Sequence, residues 1–328
     1  MPLSINLAEK YSPKVVDKFY RDSVVLGKTS KEYDWDGVKT VKVWTINTYD
    51  PVDYTRPSSN PVLSTSGGAI VGAHARYGNT YEVEDTIQTM ELKQDKAVSL
   101  SVDKGNNTEE MLIKNAGKVM NLEMRERFIP MFDKLCIAKW SGFFGNSATA
   151  PSWKDLVQVA KGGTAVINKS NIVTAISDGI TAIRNENTDV DDAYCYIGET
   201  EFANLLMADE FIHYANATYT PRNIEKGVMG KIRGLQVVPV PDSYLLQSVV
   251  VSDVTTAVNN PFLTKDLHFI IVKKSAVLAP TKIKDMKVHS DPVGISGALM
   301  EIRWLFDAFA LDTKAKGIYV CTKEAVDA

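Results

Sequence analysis

Histidine and cysteine are the side chains that most readily bind metals or act as nucleophiles and bases, and this chain carries few of them. None stands at the HxH, HExxH or CxxC spacing at which neighbouring side chains share a metal ion. We therefore expect no metal and no cofactor, and we expect the cysteines to be reduced, partly buried thiols. The residues are His74, His213, His268 and His289, with Cys136, Cys195 and Cys321.

Other short patterns contain the residue types of catalytic sites but not their spacing. His289–Asp291 reads His-Ser-Asp, yet a catalytic triad is a spatial arrangement that adjacent side chains rarely form. Gly294–Gly297 lacks the GxSxG pattern of a nucleophile elbow, and both Gly67–Gly72 and Gly227–Lys231 miss the spacing of a phosphate-binding loop. The acidic cluster Asp189–Asp192 lacks the Gly and terminal Glu of an EF-hand, which favours a solvated turn. The chain is therefore predicted not to be an enzyme.

The composition is that of a globular protein of about two domains, at roughly 150 residues each. The chain has 328 residues, 45% of them hydrophobic, and 37 Lys and Arg against 40 Asp and Glu give a net charge of -3. Tight binding of nucleic acid normally requires a basic excess, so it is not expected. Met1–Leu7 lacks the features of a signal peptide, and no apolar run approaches the roughly 20 residues that span a bilayer. We expect a soluble protein made in the cytoplasm.

The N-terminal part predicts an extended arm followed by a long hairpin. Residues 1–37 are polar and of mixed charge, and they need another surface to lie on because they cannot bury much of themselves. Two strand-like runs follow at Val41–Ile46 and Val98–Val102, with Met90 and Leu92 in the same parity upstream of the second. The long stretch between them is dense in Pro, Ser, Gly and Asn, and such loops are usually functional or disordered.

The tip of this hairpin carries residue types that are favoured at protein interfaces. Because a two-stranded hairpin is marginally stable alone in water, an ordered one needs a neighbouring chain to lie on. A flexible surface insertion is the alternative interpretation. The tip residues are Tyr49, Tyr54, Arg56, Arg76, Tyr77 and Tyr81.

A long helix is predicted next. Asn107 can cap it, with Glu110 placed three residues later as in a capping box. Pro130 falls inside the helical pattern, so a kink or a break is expected there. Apolar residues recur at helical spacing at Leu112, Ala116, Val119, Met120, Phe128, Phe132 and Leu135. The opposite face is predicted to be solvated and carries Arg125, Glu126, Arg127, Asp133 and Lys134.

The C-terminal half alternates helices and strands, which makes the class α+β, without an internal repeat. A boundary rich in Gly, Ser, Ala and Asn is expected at Ser141–Ala150. Isoleucines at helical spacing predict a helix over 172–183, and a short helix is predicted over Glu199–Met207. The predicted strands are Ala193–Ile197, Leu235–Val240, Met300–Phe306 and Ile318–Cys321.

Several local sequences, together with the order of these parts along the chain, allow a comparison with known families. They are Val43–Asp50 with Asp53–Arg56, Val83–Lys104, Gly227–Gly234 with Val237–Pro241, and Asp291–Gly297. Together they resemble the major capsid proteins of tailed bacteriophages with the Hong Kong 97-like fold. The resemblance implies an N-terminal arm (1–37), an extended β-hairpin loop (38–103), a peripheral domain with a long spine helix (104–150), an α/β axial domain (151–265) and a return to peripheral strands (266–328). It covers the whole chain, although the loop tip at 57–75 is longer than in those relatives.

The same resemblance implies a structural protein that assembles with itself. Pentamers and hexamers would form the icosahedral shell around the double-stranded DNA of a tailed phage. Portal, scaffolding and decoration proteins would be further partners, the packaged DNA would lie inside without sequence-specific binding, and no membrane would be involved. The chain would be located in the virion capsid after synthesis and assembly in the cytoplasm of a bacterial host.

In such shells each extended loop lies over the neighbouring subunit, which gives a hypothesis for the subunit contact. The loop residues Tyr54, Arg56, Arg76, Tyr77 and Glu82 would meet charges of the neighbour's spine helix, Arg125, Glu126 and Arg127.

Two alternatives stay open. An encapsulin-like bacterial nanocompartment shell would share the fold and differ by a groove for a cargo peptide. A two-domain α/β enzyme would use a cleft near Asp189–Cys195.

Overall fold

The computed structural model describes residues 23–33, 35, 39–46, 48–51, 53, 82–104, 116–142, 162–163, 166–208, 231–245, 248–250, 257–259, 266–290 and 292–323. The chain divides into two compact units, one formed by Thr40–Met90 and the other by Met1–Lys39 with Glu91–Ala328. No helix within the described ranges is long and apolar enough to cross a membrane. The predicted helix caps Asn107 and Glu110 and the loop tip 57–75 lie outside the described residues.

The described elements alternate strands with a few helices, as the α+β prediction requires. The helices are α1 (Ala116–Glu123), α2 (Ile129–Gly142), α3 (Ile172–Asn185) and α4 (Glu199–Leu206). The strands are β1 (Thr40–Ile46), β2 (Asp85–Glu91), β3 (Gln94–Asp103), β4 (Gly162–Gly163), β5 (Ala193–Gly198), β6 (Lys231–Ile232), β7 (Leu235–Val240), β8 (Ser248–Val250), β9 (Ala257–Asn259), β10 (Leu267–Lys273), β11 (Val277–Leu278), β12 (Thr281–Ser290), β13 (Gly297–Phe306), β14 (Phe309–Ala310) and β15 (Ile318–Thr322).

The unit Thr40–Met90 contains a two-stranded sheet made by β1 and β2. Along β1 the buried Val43 is followed by Trp44, which is 63% exposed, and then by Ile46, which is 68% exposed. Successive strand residues point to opposite faces, so both faces of β1 carry large apolar side chains.

The second unit contains the predicted long helix, which runs from α1 to α2 through a π-helical turn at Met124–Phe128. The N–H of Ile129 donates to the carbonyl of Met124, five residues back. Pro130 has no N–H to donate, and the wider turn directly before it accommodates that loss within a continuous helix. The helix therefore continues through Pro130 without the predicted break, and its irregularity is a π turn just before the proline.

The helix covers one face of a three-stranded antiparallel sheet in the order β12, β13, β3. Phe132 is fully buried and stacks on Trp304, with ring centroids 5.1 Å apart, and it meets Phe306 edge-on at 5.5 Å. The alternation of Met300, Ile302, Trp304 and Phe306 along β13 therefore marks the face that packs against the helix. The strand predicted at Met300–Phe306 is confirmed.

The pairing of β3 differs from the prediction. The strand at Val98–Val102 was expected to be the second arm of the hairpin, within the range 38–103. Instead β3 pairs along its whole length with β13, from Gly297 opposite Asp103 to Phe306 opposite Gln94. The apolar side chains Val98, Leu100 and Val102 thereby join the core under the helix, which a two-stranded hairpin could not provide.

A six-stranded mixed sheet forms the other half of this unit, in the order β4, β15, β10, β5, β7, β6. The predicted isoleucine stripe of α3 packs on one face, and Ile172, Ile176, Ile180 and Ile183 are all at most 1% exposed. Gly179 lies against Tyr319 so closely that a Cβ at this position would be 2.8 Å from the tyrosine ring. The helices and strands predicted for this half at 172–183, Glu199–Met207, Ala193–Ile197, Leu235–Val240 and Ile318–Cys321 are confirmed.

The described part of the N-terminal arm is better buried than its polar composition predicted. Val24 and Val25 belong to the core beneath the long helix, and Ser30 forms a parallel bridge with Leu278. Trp35 is 7% exposed and stacks on Phe309 with centroids 5.4 Å apart. These residues lie on the core of their own chain, which supplies the surface that the arm was expected to need.

Candidate interaction surfaces

The predicted loop contacts fall mostly outside the described residues. Tyr54, Arg56, Arg76 and Tyr77 are among these. Glu82 is described and exposed, and its backbone carbonyl accepts a hydrogen bond from the Tyr49 hydroxyl at 3.1 Å. This bond links two ends of the segment between β1 and β2, so Glu82 lies at the base of the loop.

The predicted helix charges occupy the π turn. Met124 and Phe128, at the two ends of the turn, are each 5% exposed and reach into the core. Between them Arg125 and Arg127 are exposed and Glu126 is half-buried. The apolar ends anchor the turn, and the three charges are presented on its outer side, as predicted for a solvated face.

Asp133 departs from that prediction. It was assigned to the solvated face, but it is 2% exposed. The Ser23 hydroxyl donates to one carboxylate oxygen at 2.6 Å, and the backbone N–H of Val24 donates to the other at 2.9 Å. Burial raises the pKa of this carboxyl above its ordinary value, and the hydrogen bonds from Ser23 and Val24 oppose that shift. The prediction was wrong because the helix face that carries Asp133 is covered by the arm.

A second buried carboxylate connects three elements of the core. Asp307 is fully buried and accepts backbone N–H bonds from Lys93 at 3.0 Å and from Ala308 at 2.8 Å. Its other partner is the Nζ of Lys139 on α2, whose side chain is 32% exposed. The pair therefore ties the start of β3 and the end of β13 to the long helix.

A second buried ionisable pair lies in the other half of the unit. The Nδ1 of His268 is 2.6 Å from a carboxylate oxygen of Glu201, and both residues are less than a tenth exposed. The sequence offered no signal for these pairs, because each joins residues that are far apart along the chain.

The cysteines and the acidic cluster are placed as the sequence indicated, whereas His74, His213, Gly67–Gly72 and 227–230 lie outside the described residues. Cys136, Cys195 and Cys321 are free thiols, each at most 1% exposed, and burial raises the pKa of Cys321 to about 12. Such thiols are poor nucleophiles because the reactive thiolate is disfavoured. In the acidic cluster the N–H of Asp191 donates to the carboxylate of Asp189 at 3.3 Å within an exposed turn. Within the described ranges no group of three or more possible ligands could hold a metal ion.

A cleft of about 430 Å³ lies beside this acidic turn, where an enzyme would need its site. Its charged lining balances three lysines, Lys31, Lys273 and Lys274, against Glu32, Asp191 and Asp192. Cys195 does not line it, because this thiol is buried inside the six-stranded sheet.

Sequence reasoning missed an apolar surface on the unit Thr40–Met90. Trp44, Ile46, Val83 and Ile87 are between 44% and 68% exposed. The signal was present in β1, where the apolar Trp44 and Ile46 alternate with the apolar Val41 and Val43. A lone two-stranded sheet cannot bury both of its faces, so this pattern predicts a partner surface.

Comparison with known proteins places the fold. No family model and no curated protein matches the sequence. Among solved structures, the mature capsid of bacteriophage PhiM1 matches with a TM-score of 0.65 at 11% identity, covering 96% of this chain and 91% of that chain. The acid-stable capsid of Helicobacter pylori bacteriophage KHP30 matches with a TM-score of 0.62 at 13% identity, covering 98% and 97%. The head structure of Helicobacter pylori bacteriophage KHP40 matches with a TM-score of 0.60 at 16% identity, covering 99% of both chains.

These matches extend over nearly the whole of each chain. The protein therefore has the Hong Kong 97-like fold, and the resemblance read from the sequence is confirmed at the level of the fold.

Proposed function

We propose that this chain is the major capsid protein of a tailed bacteriophage, a structural protein that assembles into the icosahedral shell around double-stranded DNA. The observation that supports the proposal is the match to phage capsid chains over nearly the whole length of each chain. The balanced cleft and the buried thiols also favour a structural role over catalysis. No cofactor is needed for this function.

The proposed division of the chain follows the capsid fold. Residues 1–37 form the arm, the long helix and the sheet of β3, β12 and β13 form the peripheral domain, and residues 151–265 belong to the axial domain. The extended loop is the unit Thr40–Met90 rather than the whole range 38–103, because β3 pairs with β13.

The loop is proposed to lie over a neighbouring copy. Its exposed Trp44, Ile46 and Ile87 are large apolar side chains, and full burial of each would contribute about 1.5–3 kcal/mol. A surface of this kind on a two-stranded unit is stabilised when another chain covers it. The second copy is the occupant that a closed shell of identical subunits supplies.

Charged contacts are proposed to orient this overlap. The loop residues Arg56, Arg76 and Glu82, with Tyr54 and Tyr77, would meet Arg125, Glu126 and Arg127 on the neighbour's π turn. An exposed ion pair contributes only about 0–1 kcal/mol. Many such contacts in a closed shell nevertheless add up through multivalency.

The remaining partners follow from the same role. Further copies of the chain form pentamers and hexamers, and portal, scaffolding and decoration proteins are secondary partners. A net charge of -3 suits a container that does not hold its DNA tightly. The proposed location is the virion capsid, reached after synthesis in the cytoplasm of the bacterial host.

Electron microscopy of the purified protein at high concentration tests the proposal. Closed shells, partial shells, or rings of five and six subunits are the expected result. Monomers alone, even with crowding agents and factors from a phage lysate, would contradict it. Normal shells from Arg127→Glu subunits would contradict the charged loop contact while leaving the capsid role intact.

A further inference from the structure

Strand β12 forms one edge of the three-stranded sheet, since β13 pairs with one of its sides only. In the part of the chain that the structure describes, no strand pairs with the other side. The pairing of β12 with β13 is regular from Ile283 to Ser290, and the strand contains no proline. A long, regular edge strand presents a row of N–H and C=O groups that can pair with another chain.

The sheet face that packs on the long helix continues uncovered onto β12. Met286 stands opposite Ile302 and Val288 stands opposite Met300 in the strand register. Ile302 and Met300 are at most 1% exposed, whereas Met286 is 37% exposed and Val288 is 49% exposed. Apolar surface therefore runs to the edge of the sheet and ends there without a cover among the described residues.

The opposite face of β12 carries two charges of opposite sign. Lys287 and Asp285 form an ion pair at 2.9 Å, and both side chains are more than two-fifths exposed. Lysines on an edge strand ordinarily discourage pairing with another strand. On β12, however, Asp285 and Lys287 lie two residues apart on the same face. A second copy of the strand that runs antiparallel can therefore place an aspartate opposite each lysine.

We propose that β12 pairs antiparallel with β12 of a second copy, about a two-fold axis that passes beside Met286. In this register Asp285 faces the partner's Lys287, and Lys287 faces the partner's Asp285. Opposite charges placed directly across an antiparallel pair are stabilising, and like charges are destabilising. The two Met286 side chains meet at the axis and cover each other's exposed surface.

The charges select this register over its neighbours. An axis at Asp285 would oppose two carboxylates, and an axis at Lys287 would oppose two ammonium groups. An axis at Val288 would place Lys287 opposite the partner's His289 and would leave Asp285 without a counter-charge across the interface. The register through Met286 pairs Asp285 and Lys287, the two opposite charges on this face of each strand, with their counter-charges.

This contact deepens the proposed function, on which it rests, by naming one surface through which two copies associate. Its test does not depend on shell closure. Cross-linking reports the β12 contact in subunits of any assembly state, whereas microscopy reports the shell. Shells without the cross-link would overturn the contact alone, and a specific cross-link in protein that never forms rings or shells would support the contact while contradicting the capsid role.

A single Met286→Cys substitution provides the test. The Cα atoms of an opposed antiparallel pair lie about 4.5–5.5 Å apart, within the span of a disulfide. The three native cysteines are buried, so mild oxidation is expected to act on the new thiol. A covalent dimer on a non-reducing gel is the expected result at concentrations where the protein associates.

Ser290→Cys on the same exposed strand is the matched control. In the proposed register the two residues at this position are eight residues apart along the paired strands, about 27 Å at about 3.4 Å per residue, which no disulfide spans. Equal yields of dimer from both variants, or no dimer from Met286→Cys, would overturn the proposal.

The charge pattern gives an independent test in the Met286→Cys background. Lys287→Asp places carboxylates opposite each other and is expected to lower the yield of dimer roughly tenfold. A yield of dimer that Lys287→Asp leaves unchanged would contradict the register.

Discussion

Asp133 on α2 accepts a hydrogen bond of 2.6 Å from the hydroxyl of Ser23, a residue 110 positions earlier in the chain. Together with the N–H of Val24, this bond fixes the arm on the long helix. The carboxylate is almost fully buried, so it stabilises the structure only while these donors satisfy it.

Removal of this carboxylate is therefore expected to destabilise the subunit. Asp133→Ala leaves the Val24 N–H without its acceptor in a buried place, and we expect a loss of about 1–3 kcal/mol in the free energy of unfolding, measured in urea. Ser23→Ala removes one donor only and should lose about 0.5–1.5 kcal/mol. If the effects of Ser23→Ala and Asp133→Ala simply add in the double variant, the two side chains are not coupled as the geometry requires.

The same carboxylate predicts a pH dependence of stability. Its pKa is raised by burial, so the folded state binds its proton more tightly than the unfolded state does. This contribution is fully present below the ordinary pKa of 3.8 and is lost as the pH rises through the higher pKa of the folded state. The wild type should therefore lose stability relative to Asp133→Asn over that window, as followed by urea unfolding at a series of pH values. A difference that does not change with pH would contradict the raised pKa.

The buried pair of Asp307 and Lys139 should be among the most sensitive positions of the core. Asp307→Ala orphans the N–H groups of Lys93 and Ala308, and Lys139→Met leaves a buried carboxylate without its counter-charge. We expect each change to lower the unfolding free energy by about 3–5 kcal/mol. The double variant Asp307→Ala with Lys139→Met should be more stable than the sum of the two single changes predicts. Independent effects in a urea-unfolding cycle would contradict the coupling.

The elements of the fold could be predicted from the sequence because their signals are local. The isoleucine stripe of α3 and the alternation along β13 each lie within one element, and Pro130 marks the irregular turn of the long helix. The burial of Asp133 and the pairing of β3 with β13 could not be predicted, because the partner residues are more than a hundred positions away. Residue type alone assigns an aspartate on a helix to solvent.

The same limit applies to the candidate interaction surfaces. The sequence indicated the tip of the loop as an interaction surface, because the tip carries residue types that are favoured at interfaces. The contact residues proposed for the tip stay predictions. The exposed Trp44 and Ile46 of β1 were missed because a strand rich in β-branched and aromatic residues ordinarily predicts burial. The structure shows that β1 pairs with β2 and that the face with Trp44 and Ile46 stays exposed.

Gly179 gives a test of packing between α3 and the six-stranded sheet. Alanine normally favours a helix over glycine by about 1 kcal/mol. At this position, however, the added Cβ would lie 2.8 Å from the Tyr319 ring and 2.9 Å from Ile271. We expect Gly179→Ala to destabilise the subunit by about 1–3 kcal/mol through overpacking. Thr174→Ala on the exposed face of the same helix is the control and should be neutral or slightly stabilising, as measured by thermal unfolding. A gain in stability from Gly179→Ala would show that the contact relaxes easily.

A substitution at Trp44 is expected to weaken the assembly of subunits without changing the stability of the single subunit. The side chain is 63% exposed, so Trp44→Ser should change the unfolding free energy of the subunit by no more than about 0.5 kcal/mol. If a neighbouring copy covers this surface, the same variant loses about 1.5–3 kcal/mol at each contact, and the concentration at which shells or rings form should rise at least about tenfold.

Light scattering, recorded as a function of protein concentration, measures the concentration at which shells or rings form. Thr174→Ala, an exposed change on α3 outside this unit, is the control and should leave the threshold nearly unchanged. Assembly of Trp44→Ser at the wild-type threshold would mean that this surface stays uncovered, and the proposed overlap of the loop would then need a different set of contacts.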